Sequence, residues 1–264
     1  MNTNVQKTLA ARAAIVGTAL AAFSALPCAV SATTIYQDNF SGSKTAALNG
    51  TAPTIDNGPS GTTWTADSSW SDSGYSTNGN RVSAYLPFTP SNGHIYDLSA
   101  GLNLVGEGIN SGSPDANYWV ALGFLTALST NTGWDSSGAS PWVMSRYNAS
   151  GAAALSGPGF NGVTWLSDTT GVNTWSIVLD TMSSAWTYKV YETNSAATDS
   201  LVASGAFSSN PAISAVGIQN GYGDAQVSDF SLTDQPVPEP ATLGLFGLGG
   251  LALLLASRKR KAVV

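Results

Sequence analysis

Short runs of alternating apolar and polar residues recur through the middle of the chain. Each run is bounded by Gly, Pro, Asn, Asp or Ser, as expected for strands joined by turns. Trp186, Tyr188 and Val190, for example, alternate with polar residues, which predicts one buried and one exposed face. The runs that we interpret as strands are 34–40, 81–88, 94–104, 118–125, 142–148, 174–179, 185–192, 201–207, 215–219 and 226–232.

Ten strands without a convincing helical period predict an all-β fold with two facing antiparallel sheets, a β-sandwich of the jelly-roll type. We find no repeat of fixed length, which argues against a solenoid or a propeller. Two long polar stretches that contain tryptophan, 68–80 and 129–140, are expected to be ordered excursions from the sandwich.

Four of these segments together resemble a concanavalin A-like, laminin G-type sandwich. They are the opening strand 36–40, the Gly-His-Ile-Tyr-Asp-Leu step at 93–98, the strand 118–124 and the closing strand 225–232. The resemblance implies the fold and does not by itself imply a function.

The N-terminus has the organisation of a secretory signal peptide. Lys7 and Arg12 are followed by an apolar run at 13–26 and then by small residues, so we expect cleavage after Ala32. A lipoprotein signal is disfavoured because the only cysteine, Cys28, follows a proline rather than a small residue. Loss of this cysteine with the signal excludes disulfides, zinc-thiolate sites and thiol nucleophiles from the mature chain.

The C-terminus combines a proline-rich motif, an apolar segment and a basic tail. Residues 241–256 are uncharged and would form a helix of roughly 24 Å, a marginal membrane span. A buried core helix is not expected to end in four consecutive cations, which instead favour the cytoplasmic side of a membrane. The motif is Val237, Pro238, Glu239 and Pro240, and the tail is Arg258, Lys259, Arg260 and Lys261.

This order of parts resembles the PEP-CTERM sorting segment. The resemblance implies processing by exosortase, a membrane enzyme, and a membrane-anchored precursor in an exopolysaccharide-producing, Gram-negative bacterium. Exposure at the cell surface or release into the extracellular matrix would follow. The expected domains are therefore a signal peptide at 1–32, a sandwich at 33–235 and a sorting segment at 236–264.

The charge distribution excludes nucleic acid as a partner. The formal net charge of the chain is −6. Between residues 33 and 235 the only cations are Lys44, Arg81, Arg146 and Lys189. Binding to phosphates requires clustered Lys and Arg, which this region lacks.

Candidate catalytic groups are scarce. A glycoside hydrolase needs two carboxylates about 5 to 10 Å apart, and the Glu-x-Asp-x-x-Glu strand of laminarinase-type glucanases is absent. Glu107 lies in a Gly-rich turn and Glu192 ends a predicted strand alone. The single histidine, His94, begins a predicted strand, where a surface role is more common than catalysis. We therefore expect no enzymatic activity and no cofactor.

Calcium is the one metal that the laminin G resemblance suggests. Asp38, Asn39 and Asp229 belong to the first and last predicted strands, which could lie side by side and bring their oxygen atoms together. Such residues are also common in turns, so structural roles are the favoured interpretation.

Tryptophan is the residue type that suggests carbohydrate, because an exposed indole can stack on a sugar ring. Of the eight tryptophans, three lie in polar, loop-like stretches and are candidates for stacking: Trp70, Trp134 and Trp142. Three others lie in strand patterns and are expected in the core: Trp119, Trp175 and Trp186. Aromatic residues dominate ordinary sandwich cores, so packing is the favoured role for all of them.

The sequence thus predicts an exported, non-enzymatic protein of the cell surface or extracellular matrix. The main alternative is a lectin-like module that binds polysaccharide, and a glycoside hydrolase is the weakest. An exosortase-type enzyme, the membrane and extracellular polysaccharide are the expected partners.

Overall fold

A computed structural model describes most of the predicted sandwich. The described residues are 31–77, 81–105, 119–130, 139–146, 153–156, 164–166, 173–193, 199–221 and 223–236. The predicted signal peptide, the sorting motif, the helix at 241–256 and the basic tail lie outside them. The described ranges contain no apolar helix of membrane-spanning length.

The described residues form strands and turns only. The fifteen strands are β1 Thr33–Asp38, β2 Ile55–Asp56, β3 Thr65–Ala66, β4 Tyr75–Ser76, β5 Val82–Pro87, β6 His94–Leu104, β7 Trp119–Leu125, β8 Ala139–Arg146, β9 Ala153–Ser156, β10 Thr164–Leu166, β11 Asn173–Asp180, β12 Thr187–Thr193, β13 Asp199–Ala206, β14 Ala215–Asn220 and β15 Ala225–Pro236. Each of the ten predicted runs overlaps one of these strands. The strands that prediction missed have two to four residues, too few for an alternating pattern to be visible.

Two antiparallel sheets contain all fifteen strands. Sheet I has the order β13-β12-β11-β6-β15-β1-β2, with β4 added beside β15. Sheet II has the order β10-β9-β8-β7-β14-β5-β3. The first and last strands pair, and Thr33 lies opposite Asp234, so the chain enters and leaves the sandwich at the same end.

The core lies between the two sheets. Alternate residues of β6, namely Tyr96, Leu98, Ala100 and Leu102, pack in one cluster with Val120, Leu122 and Phe124 of β7. Burial of each large apolar side chain contributes about 1.5–3 kcal/mol, and this cluster is the main source of stability in a domain without disulfides. The predicted all-β sandwich is therefore confirmed, and residues Ser31–Pro236 form one compact unit.

Candidate functional site

Asp38 is the most buried carboxylate among the described residues. It ends β1, and its side chain turns inward, where the residue is 5% exposed. The Trp64 indole Nε1 donates to Asp38 Oδ2 at 2.7 Å, and the Phe40 amide donates to Asp38 Oδ1 at 2.9 Å. Burial raises the pKa of the Asp38 carboxyl, although both hydrogen bonds favour its charged form.

Two of the three calcium candidates lie around one hydroxyl: Thr54 Oγ1 is 3.3 Å from Asp38 Oδ1 and 3.1 Å from Asn39 Oδ1. The predicted proximity of the first and last strands is confirmed, since Asp38 lies opposite Phe230. Asp38, however, faces the interior, whereas Asn39 and Asp229 are exposed. No group of three or more His, Cys, Asp or Glu suited to a metal occurs among the described residues. The shared calcium site therefore stays a prediction, and in this structure the Asp38 oxygens accept hydrogen bonds from Trp64 and the Phe40 amide.

Two of the three tryptophans proposed for glycan stacking are buried, which corrects that part of the prediction. Trp70 is 1% exposed, and its Nε1 donates to the Val82 carbonyl oxygen at 3.3 Å. Trp142 is 3% exposed. Neither indole presents a face to solvent in this structure. The third candidate, Trp134, lies outside the described residues.

Two of the three tryptophans expected in the core lie there, and the third is buried elsewhere. Trp175 and Trp186 belong to the cluster between the sheets. Their Nε1 atoms donate to Ser145 Oγ and Asn92 Oδ1, both at 3.1 Å. Trp119 is also buried, but it belongs to a different cluster.

That second cluster lies on the outward face of sheet II. We call it the outer aromatic cluster, and it consists of Trp119, Ala121, Leu125, Trp142, Met144 and Ala215, with Tyr85 at its margin. These residues alternate along β7, β8 and β14 with the residues that face the core. Glycines make room for the rings: a Cβ on Gly221 would lie 2.2 Å from the Trp119 indole. Strand alternation alone does not predict a buried position on the outward face for these aromatic residues.

Buried polar groups accompany the outer aromatic cluster. Ser83 and Gln219 lie opposite each other on β5 and β14, and both are fully buried. Among the described residues, Ser83 Oγ has no hydrogen-bond partner. The Ser83 amide donates to the Thr130 carbonyl oxygen at 2.9 Å, so residues 126–130 run from the end of β7 to the far edge of β5.

A histidine–carboxylate pair lies at the end of the sandwich where the chain enters and leaves. His94 Nδ1 is 2.9 Å from Asp234 Oδ2, and the imidazole stacks on Tyr96 with 5.6 Å between ring centroids. The Thr181 hydroxyl accepts a hydrogen bond from the His94 amide and lies within hydrogen-bond distance of the His94 carbonyl oxygen. His94 is the first residue of β6, as predicted, but its partner depends on the register of β6 with β15 and was not predicted.

The remaining carboxylates with described contacts hold neighbouring strands or turns. The Ser176 hydroxyl donates to Asp97 Oδ1 at 2.5 Å across β6 and β11. The Tyr75 hydroxyl donates to Asp224 Oδ2 at 2.6 Å, and this bond raises the pKa of Tyr75 to about 12. Glu192 is the last but one residue of β12, which ends one position beyond the predicted end, at Thr193, while Glu107 lies outside the described residues.

Comparison with family models identifies the C-terminal segment. Residues 236–261 match the PEP-CTERM protein-sorting motif. The predicted resemblance is therefore confirmed, and the motif indicates an exported, membrane-anchored precursor of a Gram-negative bacterium. A search of curated proteins found no match.

Comparison with solved structures identifies the fold of the remainder. The endo-1,3-beta-glucanase from Streptomyces sioyaensis matches with a TM-score of 0.50 and 13% identity, over 80% of this chain and 99% of the glucanase. The Lotus tetragonolobus seed lectin matches with a TM-score of 0.43 and 14% identity, over 70% of this chain and 96% of the lectin. Lectin II from Ulex europaeus matches with a TM-score of 0.41 and 11% identity, over 69% and 95% of the two chains. The neighbours are concanavalin A-like sandwiches, as predicted.

Proposed function

We propose that this chain is a non-enzymatic protein of the cell surface or extracellular matrix, delivered there through its C-terminal segment. The match of residues 236–261 to a sorting motif supports the delivery. An exosortase-type membrane enzyme is the processing partner, and the sandwich is the part that remains outside the cell.

The observation that supports the non-enzymatic role is that carboxylates of the domain accept hydrogen bonds from neighbouring protein groups. Asp38 accepts hydrogen bonds from Trp64 and the Phe40 amide, and Asp97 accepts one from Ser176. A glycoside hydrolase instead needs one carboxyl free to protonate the leaving oxygen and a second carboxylate across the scissile bond. The described contacts favour a scaffold in which carboxylates join strands.

Delivery is tested on the full chain in an exosortase-containing Gram-negative host. The parent protein should accumulate at the surface or in the medium as a C-terminally shortened form, measured by cell fractionation and mass spectrometry. A Glu239→Gln, Pro240→Ala variant should remain in the membrane fraction at full length. Gln235→Ala, an exposed change just before the motif, is the matched control and should behave as the parent. Processing of the double variant at the parental rate would contradict the proposed delivery.

The non-enzymatic role is tested separately by incubating the exported protein with β-1,3-glucan and with the host's own polysaccharide. We expect no new reducing ends above the blank over 24 hours. Reducing ends that increase with protein concentration would overturn this part of the proposal and leave the delivery intact.

A second candidate function, carbohydrate binding, is favoured by the outer aromatic cluster. Sugar-binding sites combine aromatic rings with hydroxyl or amide groups, and Tyr85, at the margin of this cluster, is only partly buried and lies two residues from Ser83 on β5. The exported protein would be screened on a glycan array with and without calcium. Binding that is lost in Tyr85→Ala, and kept in Met182→Ser, an exposed change in the turn after β11, would support this candidate. Binding lost only in a Trp134→Ala variant would point to the loop that contains that residue.

A further inference from the structure

One edge of the sandwich differs from the other three. The terminal strands β2 and β3 have two residues each, and β10 has three. Short terminal strands protect a sheet edge, because they offer few free backbone groups to another strand. The fourth terminal strand, β13, has eight residues, Asp199–Ala206. Among the described strands it is therefore the only long edge.

The side chains of β13 leave this edge open. Five of its eight residues are exposed, and Leu201 is 55% exposed, the highest value among the large hydrophobic residues described. Strand edges in monomeric proteins usually bear Lys or Pro as protection, and β13 contains neither. A bulge at Val202 is present, but the pairing with β12 is uninterrupted over 203–206.

The charge of β13 permits pairing with a copy of itself. Its only charged residue is Asp199, at the first position of the strand. In an antiparallel pair about a two-fold axis, residues near one end of a strand face residues near the other end of its partner. If the two-fold axis crosses β13 at any residue after Asp199, the Asp199 carboxylate of one copy therefore lies opposite a neutral residue of the other copy. A partner strand with several acidic residues would lack this compatibility.

We propose that two copies of this protein associate through their β13 edges, forming one antiparallel sheet that is continuous across both molecules. The occupant of the edge is a second copy of the same chain. Exposed Leu201 side chains near the junction lose contact with water on association. This inference goes beyond the proposed surface role, which does not require self-association.

The test measures oligomeric state by size-exclusion chromatography with light scattering, on the exported, processed protein. We expect the mean mass to rise from monomer to dimer between about 5 and 500 µM, the range expected for a small interface. Leu201→Lys places a charge on the edge and should weaken association at least tenfold. Leu128→Lys is the matched control, because Leu128 is 51% exposed and lies away from this edge.

A distance measurement identifies the surface directly. The mature chain is expected to contain no cysteine, so a single Ser204→Cys carries one nitroxide label per molecule. Paired strands lie about 5 Å apart, so pulsed electron spin resonance should report an intermolecular distance below about 25 Å. A parent that stays monomeric at every concentration overturns the proposal. So does association that persists in Leu201→Lys, or labels that lie farther apart in the dimer.

Discussion

The hydrogen bond between Asp38 and Trp64 provides the sharpest test of how the sandwich is held together. It joins the end of β1 to an indole next to β3, and both residues are almost fully buried. The perturbation is a double-mutant cycle with Asp38→Ala, Trp64→Phe and the combined variant. Trp64→Phe removes the N–H group and retains an aromatic ring, so the cycle isolates the hydrogen bond from the packing.

The expected magnitude follows from the geometry. At 2.7 Å, the contact is a short hydrogen bond from a neutral donor to a carboxylate. Hydrogen bonds to charged groups typically stabilise proteins by ~1.5–3 kcal/mol, so we expect a coupling free energy in that range. Asp38→Ala alone should lower the free energy of unfolding by more than the coupling free energy, because the Phe40 amide also loses its acceptor.

The assay is urea unfolding at pH 7 followed by far-ultraviolet circular dichroism, which Trp64→Phe perturbs less than it does fluorescence. Gln37→Ala, an exposed change on the same strand, is the control. The double-mutant cycle of Gln37→Ala with Trp64→Phe should give a coupling free energy within about 0.5 kcal/mol of zero, as for independent sites. A coupling below about 0.5 kcal/mol for Asp38 and Trp64 would refute the assigned role of the bond.

Three further predictions use other contacts. Burial raises the pKa of Asp38, so its protonated form is favoured in the fold and the associated stability is lost as pH rises through that raised value. The destabilisation by Asp38→Ala should therefore be larger near pH 4 than at pH 7 in urea titrations, and the reverse trend would contradict the burial argument. Gly221→Ala should displace the Trp119 indole, cost ~1–3 kcal/mol and alter the near-ultraviolet dichroism; an unchanged spectrum and stability would be inconsistent with the packing. His94→Ala should cost at most ~1 kcal/mol in thermal melts, since its pair with Asp234 is partly exposed, and a larger loss would show a structural role that this contact does not explain.

Strand positions were accessible from the sequence because alternation is a local property. β6 was predicted with both of its bounds, and the faces of β12 were assigned correctly from Tyr188 and Val190. Two-residue strands such as β3 escaped detection, because their pairing depends on a neighbour that is distant in the chain.

The tryptophans show where local reasoning failed. A polar, loop-like context suggested exposure for Trp70 and Trp142, and both are buried. Alternation separates the two faces of a strand but does not reveal what covers the outward one. The outer aromatic cluster therefore had no signature beyond the aromatic residues themselves and nearby glycines such as Gly123.

The sequence by itself determined the sorting motif and the class of fold, because both are written in contiguous residues: an ordered motif at one end and period-two patterns between. Only the tertiary structure decided which side chains meet. Asp38 and Trp64 are 26 positions apart, and His94 and Asp234 are 140 apart. Such contacts depend on strand order and register, which arise when the two sheets bury their apolar faces together, and not on any local pattern.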